Sequence, residues 1–375
     1  MTGVLPRGDA WTEVAPASVD MDPALVEAAA RCASDQLARR GAAGQLVVLR
    51  RGQVVLDRAF GADSTSLFLA FSITKPYTAL LVLQLAERGL LSLDEPVAAH
   101  WPEFGRRGKE AITPRMVLTH QAGVPDDSWA FSLASAGSWP ASVRRMEALA
   151  PSFPPGEVTA YHSLTFGWIL GELVRRVTGE PVDRVLAEAV LEPLGGRDSF
   201  LGLPDRLRSR AVSLRAAGGR HELATAWIFN RRRQRRAVAP AATLSATARD
   251  VARFFETLRR GGQLDGARVA RPATIAEMVR PATPGTVVDR RIGSRVRSAH
   301  GLHLGGVTSP EDLARRFGEL SSPEAFGHTG ANCCTAWADP TRELAFAYLT
   351  SLLLPAEATK VHQSLVSDCV LRACG

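Results

Sequence analysis

Strand-like periodicity in this chain is concentrated near its two ends, and this restricts the available folds more than any other feature. Residues 45–50 and 53–60 are two β-runs joined at Arg51-Gly52, which reads as a hairpin. Strand signals return at 324–330, 333–338 and 343–350, the last two separated by a turn at Asp339-Pro340. Between them lie mostly helical segments and loops with many Gly and Pro; the best helical patterns cover 164–178 and 246–260. Helical pattern also precedes the hairpin (23–40, stopped by Gly41), follows it (72–88, stopped by Gly89) and closes the chain (356–373). The expected fold is therefore α/β of the α+β kind: an antiparallel sheet built from both chain ends with flanking helices, plus an inserted, mainly helical lobe. We expect one catalytic unit over 22–375, with an α/β lobe at 22–71 and 300–375, a helical lobe at 72–299, and residues 1–21 as an N-terminal extension.

Composition narrows the function classes. At 375 residues, 46% hydrophobic and 22% charged, the chain can bury a large core and is not of disordered type. No apolar run approaches the roughly 20 residues needed to span a bilayer, and residues 1–20 lack the basic start and apolar stretch of a secretory signal. The expectation is a cytoplasmic protein with no membrane partner. Five cysteines at irregular spacing, without a CxxC, give neither a disulfide framework nor a zinc ribbon, so no metal is expected. The net charge of +7 falls to +2 without Arg231, Arg232, Arg233, Arg235 and Arg236. One such run does not make a nucleic-acid face; it is a solvated face or a local anion site for an acidic substrate.

Several familiar constellations fail. Ser72 is not set in G-x-S-x-G, His221-Glu222 is not completed because position 225 is Thr, and no phosphate-binding glycine loop is present. What remains is Ser72-Ile73-Thr74-Lys75. Residues three apart share one helix face, so a hydroxyl and an amine can meet there. The serine stands where a helix begins, a position that favours developing negative charge, and Pro76 is compatible with a first turn. A helix-capping serine with an unrelated lysine would look the same. Two further segments argue for catalysis: Tyr161-His162-Ser163 just before a helix, and Gly327-His328-Thr329-Gly330 at a strand end.

A nucleophile helix, a Tyr-x-Ser loop and a strand ending in His-Thr-Gly, in that order, resemble the serine β-lactamase and penicillin-binding-protein superfamily, most of all its class C-like, family VIII esterase and acyltransferase branches. The resemblance covers about 25–370. It extends to Leu90-Leu91-Ser92-Leu93-Asp94-Glu95-Pro96-Val97, to Ile112-Thr113 through Leu118-Thr119-His120-Gln121-Ala122-Gly123-Val124-Pro125, to Pro155-Gly156, and to the stretch from Leu244 to Phe254. It implies that Ser72 is the acylated nucleophile and that Lys75 and Tyr161 handle its proton. With a reference pKa of ~10.4, Lys75 is either a base shifted by burial or a cation that holds Tyr161 as phenolate. The resemblance also implies an oxyanion hole from the N–H groups of Ser72 and Ala331, after Gly330. Ser163 stands where β-lactam-active members have Asn, and His328 where they have the lysine that grips a substrate carboxylate, so β-lactam recognition should be poor. His120 belongs to a packing motif.

By strand period Cys333 and Cys334 would point one toward the site and one toward the core, and both are expected to be buried strand cysteines. Trp129, Phe131, Trp139 and Trp227-Ile228-Phe229 would border the cleft or pack the helical lobe. The implied reaction is cleavage of a small-molecule ester through an acyl-serine, without a cofactor. The alternative is transfer of the acyl group to an alcohol or amine in place of water, which the arginine run would favour by docking a phosphate-bearing carrier. A true β-lactamase or peptidase, or a silent binding protein, is the remainder.

Overall fold

The structure is a computed structural model that describes residues 11–125 and 138–375. Helix α1 (Pro23–Ala38) begins under an Asp22 cap whose carboxylate accepts from the Ala24 and Leu25 amides, with Pro23 in its first turn. The hairpin follows as β1 (Gly44–Arg50) and β2 (Gln53–Phe60). Then come β3 (Phe68–Leu69), a 3-10 turn (Phe71–Ile73) and α2 (Thr74–Glu87). The middle of the chain carries α3 (Trp139–Ala148), α4 (Thr165–Thr178), β4 (Ser199–Leu201), α5 (Arg220–Phe229), α6 (Arg232–Arg236), β5 (Leu244–Ala246) and α7 (Ala248–Arg259). The C-terminal part adds β6 (His303–Leu304), β7 (Phe326–Gly330), β8 (Cys334–Asp339), β9 (Leu344–Thr350) and α8 (Ala356–Arg372).

The main sheet has the order β6-β7-β8-β9-β1-β2, and every pairing in it is antiparallel. Its centre joins the two chain ends, with Gly44 opposite Thr350 and Arg50 opposite Leu344. Both faces are covered, and the period of two sorts the side chains. Leu46 and Val48 of β1, with Phe346 and Tyr348 of β9, pack against α1 and α8. Val47 and Leu49, with Ala345, Ala347 and Leu349, face the other way, toward α7 and the helical middle. Residues 11–21 lie on this body: the Val14 amide donates to the Val54 carbonyl, and Met21 is buried. No helix among the described residues is long and apolar enough to cross a membrane.

Two short elements differ from the sequence expectation. The helix expected from residue 72 starts as a 3-10 turn and becomes α-helical at Thr74. Phe71, just before the serine, has a φ of 49° and turns the chain sharply out of β3. Ala246, expected as the start of a helix, instead ends β5, the middle strand of a small ribbon in the order β3-β5-β4, and the helix begins at Ala248. Two or three residues are too few to leave a period in the sequence. Helix α2 is buried all round from Thr74 to Leu85, so it runs through the molecule rather than along its surface.

Candidate active site

The ribbon and α2 aim Ser72 into a cavity of about 490 Å³ between the sheet and the helical middle. Of the seven residues singled out in the sequence, Ser72, Tyr161, Ser163, His328 and Ala331 line it. Lys75 stands behind Ser72, fully buried. Its Nζ lies 3.2 Å from Ser72 Oγ, 2.8 Å from the Ser163 carbonyl and 3.3 Å from the Ala241 carbonyl. A carbonyl only accepts, so two Lys75 hydrogens are committed to Ser163 and Ala241. The direction toward Ser72 then holds either a third N–H or the lone pair that would take the serine proton. The same Nζ is 4.7 Å from the centre of the Tyr161 ring.

Tyr161 is held from several sides. Its amide donates to Asp289 Oδ1 at 3.1 Å, and the same oxygen accepts from the Arg291 and Ile292 amides. Asp289 is 2% exposed, and burial pushes its carboxyl upward. The His120 ring lies 4.7 Å from the tyrosine ring. His120 Nδ1 accepts from the His162 amide and its carbonyl accepts from the Ala160 amide, which clamps the loop on either side of Tyr161. His120 thus packs the site, as expected, and burial keeps its imidazole neutral far below the usual range.

On the opposite wall, His328 is 1% exposed, and its Nδ1 is 2.7 Å from the Thr329 carbonyl. That carbonyl accepts, so Nδ1 carries the hydrogen and Nε2 presents a lone pair. Burial, together with His303 and Lys75, holds its pKa well below 6.5. Gly330 lies behind the cavity, pressed on the chain just before the serine: a β-carbon there would sit 2.2 Å from the Ala70 carbonyl oxygen. Ala331 (φ 27°) and Asn332 (φ 62°) then form a tight left-handed turn.

One expectation is corrected, and two left open are decided. Neither Cys333 nor Cys334 faces the cavity; both are buried, with sulfurs 3.4 Å apart, because the tight turn after Gly330 breaks the strand alternation before β8 begins. Trp139 packs at 5.5 Å on Trp168 and donates to the buried Glu172, which places it between α3 and α4 rather than at the cleft. Trp227 is exposed beneath the Arg231 guanidinium at 3.2 Å, so of its triplet only Phe229 reaches the cavity, edge-on to Phe71. Trp129 and Phe131 lie outside the described residues.

The arginine run does not line the cavity. Arg232 and Arg236 pair with Asp205, and Arg235 is buried, donating to the Phe229 and Val212 carbonyls. Much of that charge is therefore spent on holding α5 and α6 in place.

Sequence reasoning missed Asp289, His303, Arg316 and Asn332. None sits in a motif; Asp289, His303 and Arg316 reach the site from other segments of the chain, and Asn332 lies just past the residues singled out after the strand triplet. His303 lies against His328 at 4.6 Å between ring centres with the rings tilted by 42°, and burial lowers its pKa to about 3.

With this geometry in hand, comparison with known proteins is direct. A family model described as Beta-lactamase matches residues 26–367. The chain is 30% identical, over 368 residues, to the Esterase/beta-lactamase LipL of Mycobacterium tuberculosis, covering 88% of this chain and 81% of that one. Among solved structures, a penicillin-binding protein homolog from Caulobacter crescentus has a TM-score of 0.78 at 30% identity, covering 92% of this chain and 97% of that one. A family VIII carboxylesterase has a TM-score of 0.78 at 28% identity, with the same coverage.

Proposed function

The chain belongs to the β-lactamase family, and from that premise we propose that it is a serine acyl-enzyme of esterase type, acting on a small-molecule ester. Ser72 Oγ attacks the ester carbonyl while its proton passes to the Lys75–Tyr161 pair. The tetrahedral oxyanion is received by the amides of Ser72 and Ala331. Collapse breaks the C–O bond to the alcohol, which leaves with the proton and an acyl-Ser72 behind it. Water, deprotonated by the same pair, then attacks that ester, and Ser72 recovers its hydrogen as free acid departs.

The observation that carries this reading is the contact of Lys75 Nζ with Ser72 Oγ, made while two carbonyls fix the amine from behind. A solvated lysine would have neither the burial nor the fixed direction. The esterase relatives support the ester as substrate, and the reaction needs no cofactor.

The test is covalent trapping. Incubation with a fluorophosphonate should add one label, located by peptide mass spectrometry on Ser72. Ser72→Ala should lose the label and at least ~10³-fold in 4-nitrophenyl ester turnover. Undiminished turnover in that variant would overturn the reading. Turnover in rising concentrations of an alcohol or amine, scored for free acid against transferred product, distinguishes water from another acceptor.

A further inference from the structure

Arg316 occupies the cavity wall in a way that packing alone does not explain. The residue is 5% exposed yet lines the cavity. Its guanidinium donates from Nη2 to Asn332 Oδ1 at 3.0 Å, while its buried Nε has no hydrogen-bond partner. Among the described residues no carboxylate lies within ion-pair distance of it. Neither of the cavity's own two carboxylates hydrogen-bonds or ion-pairs with it. Glu357 pairs with Lys360 at 2.9 Å at the exposed mouth, and Glu222 folds back over Gly218.

A buried cation is normally paired, because removing it from water without a counter-charge is strongly unfavourable. Here no carboxylate among the described residues hydrogen-bonds or ion-pairs with the guanidinium, Glu357 acts on it only through space, and the residue lines a cavity large enough for a ligand. Asn332 completes the cradle. Since a guanidinium can only donate, the asparagine must turn its oxygen to Arg316, which leaves its amide N–H₂ as a further donor on the same wall. The strand triplet does not compete for an anion, because neutral His328 offers it a lone pair.

We infer that Arg316 and Asn332 form a carboxylate-binding subsite, so that the preferred ester carries a free carboxylate on its acyl or its alcohol portion. This rests on the acyl-enzyme reading for the reaction and extends it to the substrate class. The planar fork of an arginine suits a carboxylate, which two parallel N–H groups can hold in register. The cation of this subsite comes from the segment before the strand triplet, not from the triplet itself.

The experiment uses matched pairs: monophenyl adipate against phenyl hexanoate for the acyl side, and 3-butyryloxybenzoate against phenyl butyrate for the alcohol side, each followed by release of the phenol. In the wild type one carboxylated ester should exceed its neutral partner at least tenfold in kcat/KM. Arg316→Gln should erase that ratio, mainly through KM, and Arg316→Lys should keep part of it. Should Arg316→Gln fail to fold, Asn332→Asp retains the arginine and places a carboxylate beside it. That variant should also lose the preference while its Tm rises. Titration calorimetry of Ser72→Ala with the same esters reads the preference without chemistry, so a failed nucleophile assignment would not be mistaken for a failed subsite. Wild type without a carboxylate preference in either pair, or a preference that survives both Arg316→Gln and Asn332→Asp, would refute the subsite.

Discussion

Asp289 shows how much of this site depends on a side chain that touches none of the reacting atoms. One oxygen accepts from the amides of Tyr161, Arg291 and Ile292, and so fixes where the tyrosine enters the cavity. Asp289→Ala leaves those buried donors unsatisfied, at about 1–3 kcal/mol. We expect kcat to fall roughly 10- to 100-fold as the phenol drifts from its partners. Asp289→Asn keeps an oxygen in the same place and should restore most of the rate; if it is no better than Ala, positioning by hydrogen bonding is the wrong account. At this scale the sequence was legible where chemistry imposes spacing. Ser72 and Lys75 are three apart because a helical turn brings them together, and Tyr161 announces itself as one of only three tyrosines, ahead of a helix. Asp289 and Arg316 were not legible. Their partners are backbone amides and an asparagine in other segments, and no local pattern records such a meeting.

At the scale of elements, the strand that ends in Gly330 and the turn that carries Ser72 touch through backbone alone. A β-carbon at Gly330 would collide with the Ala70 carbonyl, and neither side is a flexible side chain that can move away. Gly330→Ala should therefore displace β7 from the nucleophile turn, losing about 2–3 kcal/mol of stability. The displaced amides should cost ~10²-fold or more in kcat/KM. Chemical denaturation and ester kinetics on the same preparation check both, and normal values in both would show that the contact yields freely. The hairpin, the three C-terminal strands and the long helices were legible because each repeats its period several times. The β3-β5-β4 ribbon was not. Its strands are two or three residues long, and Ala246 at the end of β5 merged with the helical pattern of α7 that follows directly.

For the molecule as a whole, buried imidazoles set the response to acid. Burial lowers His162, His300 and His362 to about 4 and His303 to about 3, and holds His120 and His328 well below 6.5. The unfolded chain takes up these protons near pH 6.5 and the folded one does not. The stability that neutral burial provides is thus complete above pH 6.5 and is lost as pH falls toward 4. Across that window each imidazole can contribute up to about 1.4 kcal/mol per pH unit. Asp250, raised to about 6 by burial, and Asp289, also raised by burial, act in the opposite sense but are two groups against six imidazoles. Tm should be lower at pH 4.5 than at pH 7.5 by roughly 10 °C, as calorimetry would read; a flat or rising profile would show that the histidines are hydrated.

The pairing of Gly44 with Thr350 carries a consequence for biosynthesis. The ribosome delivers β1 about 300 residues before its central partner, an interval of roughly 15–60 s at ordinary elongation rates. Throughout that time the hairpin presents an apolar, unpaired flank, the sort of edge that invites aggregation. Closure waits for nearly the last segment to emerge, so a transcript cut short before β9 yields a polypeptide with no way to complete its core, a natural client for chaperones and proteases.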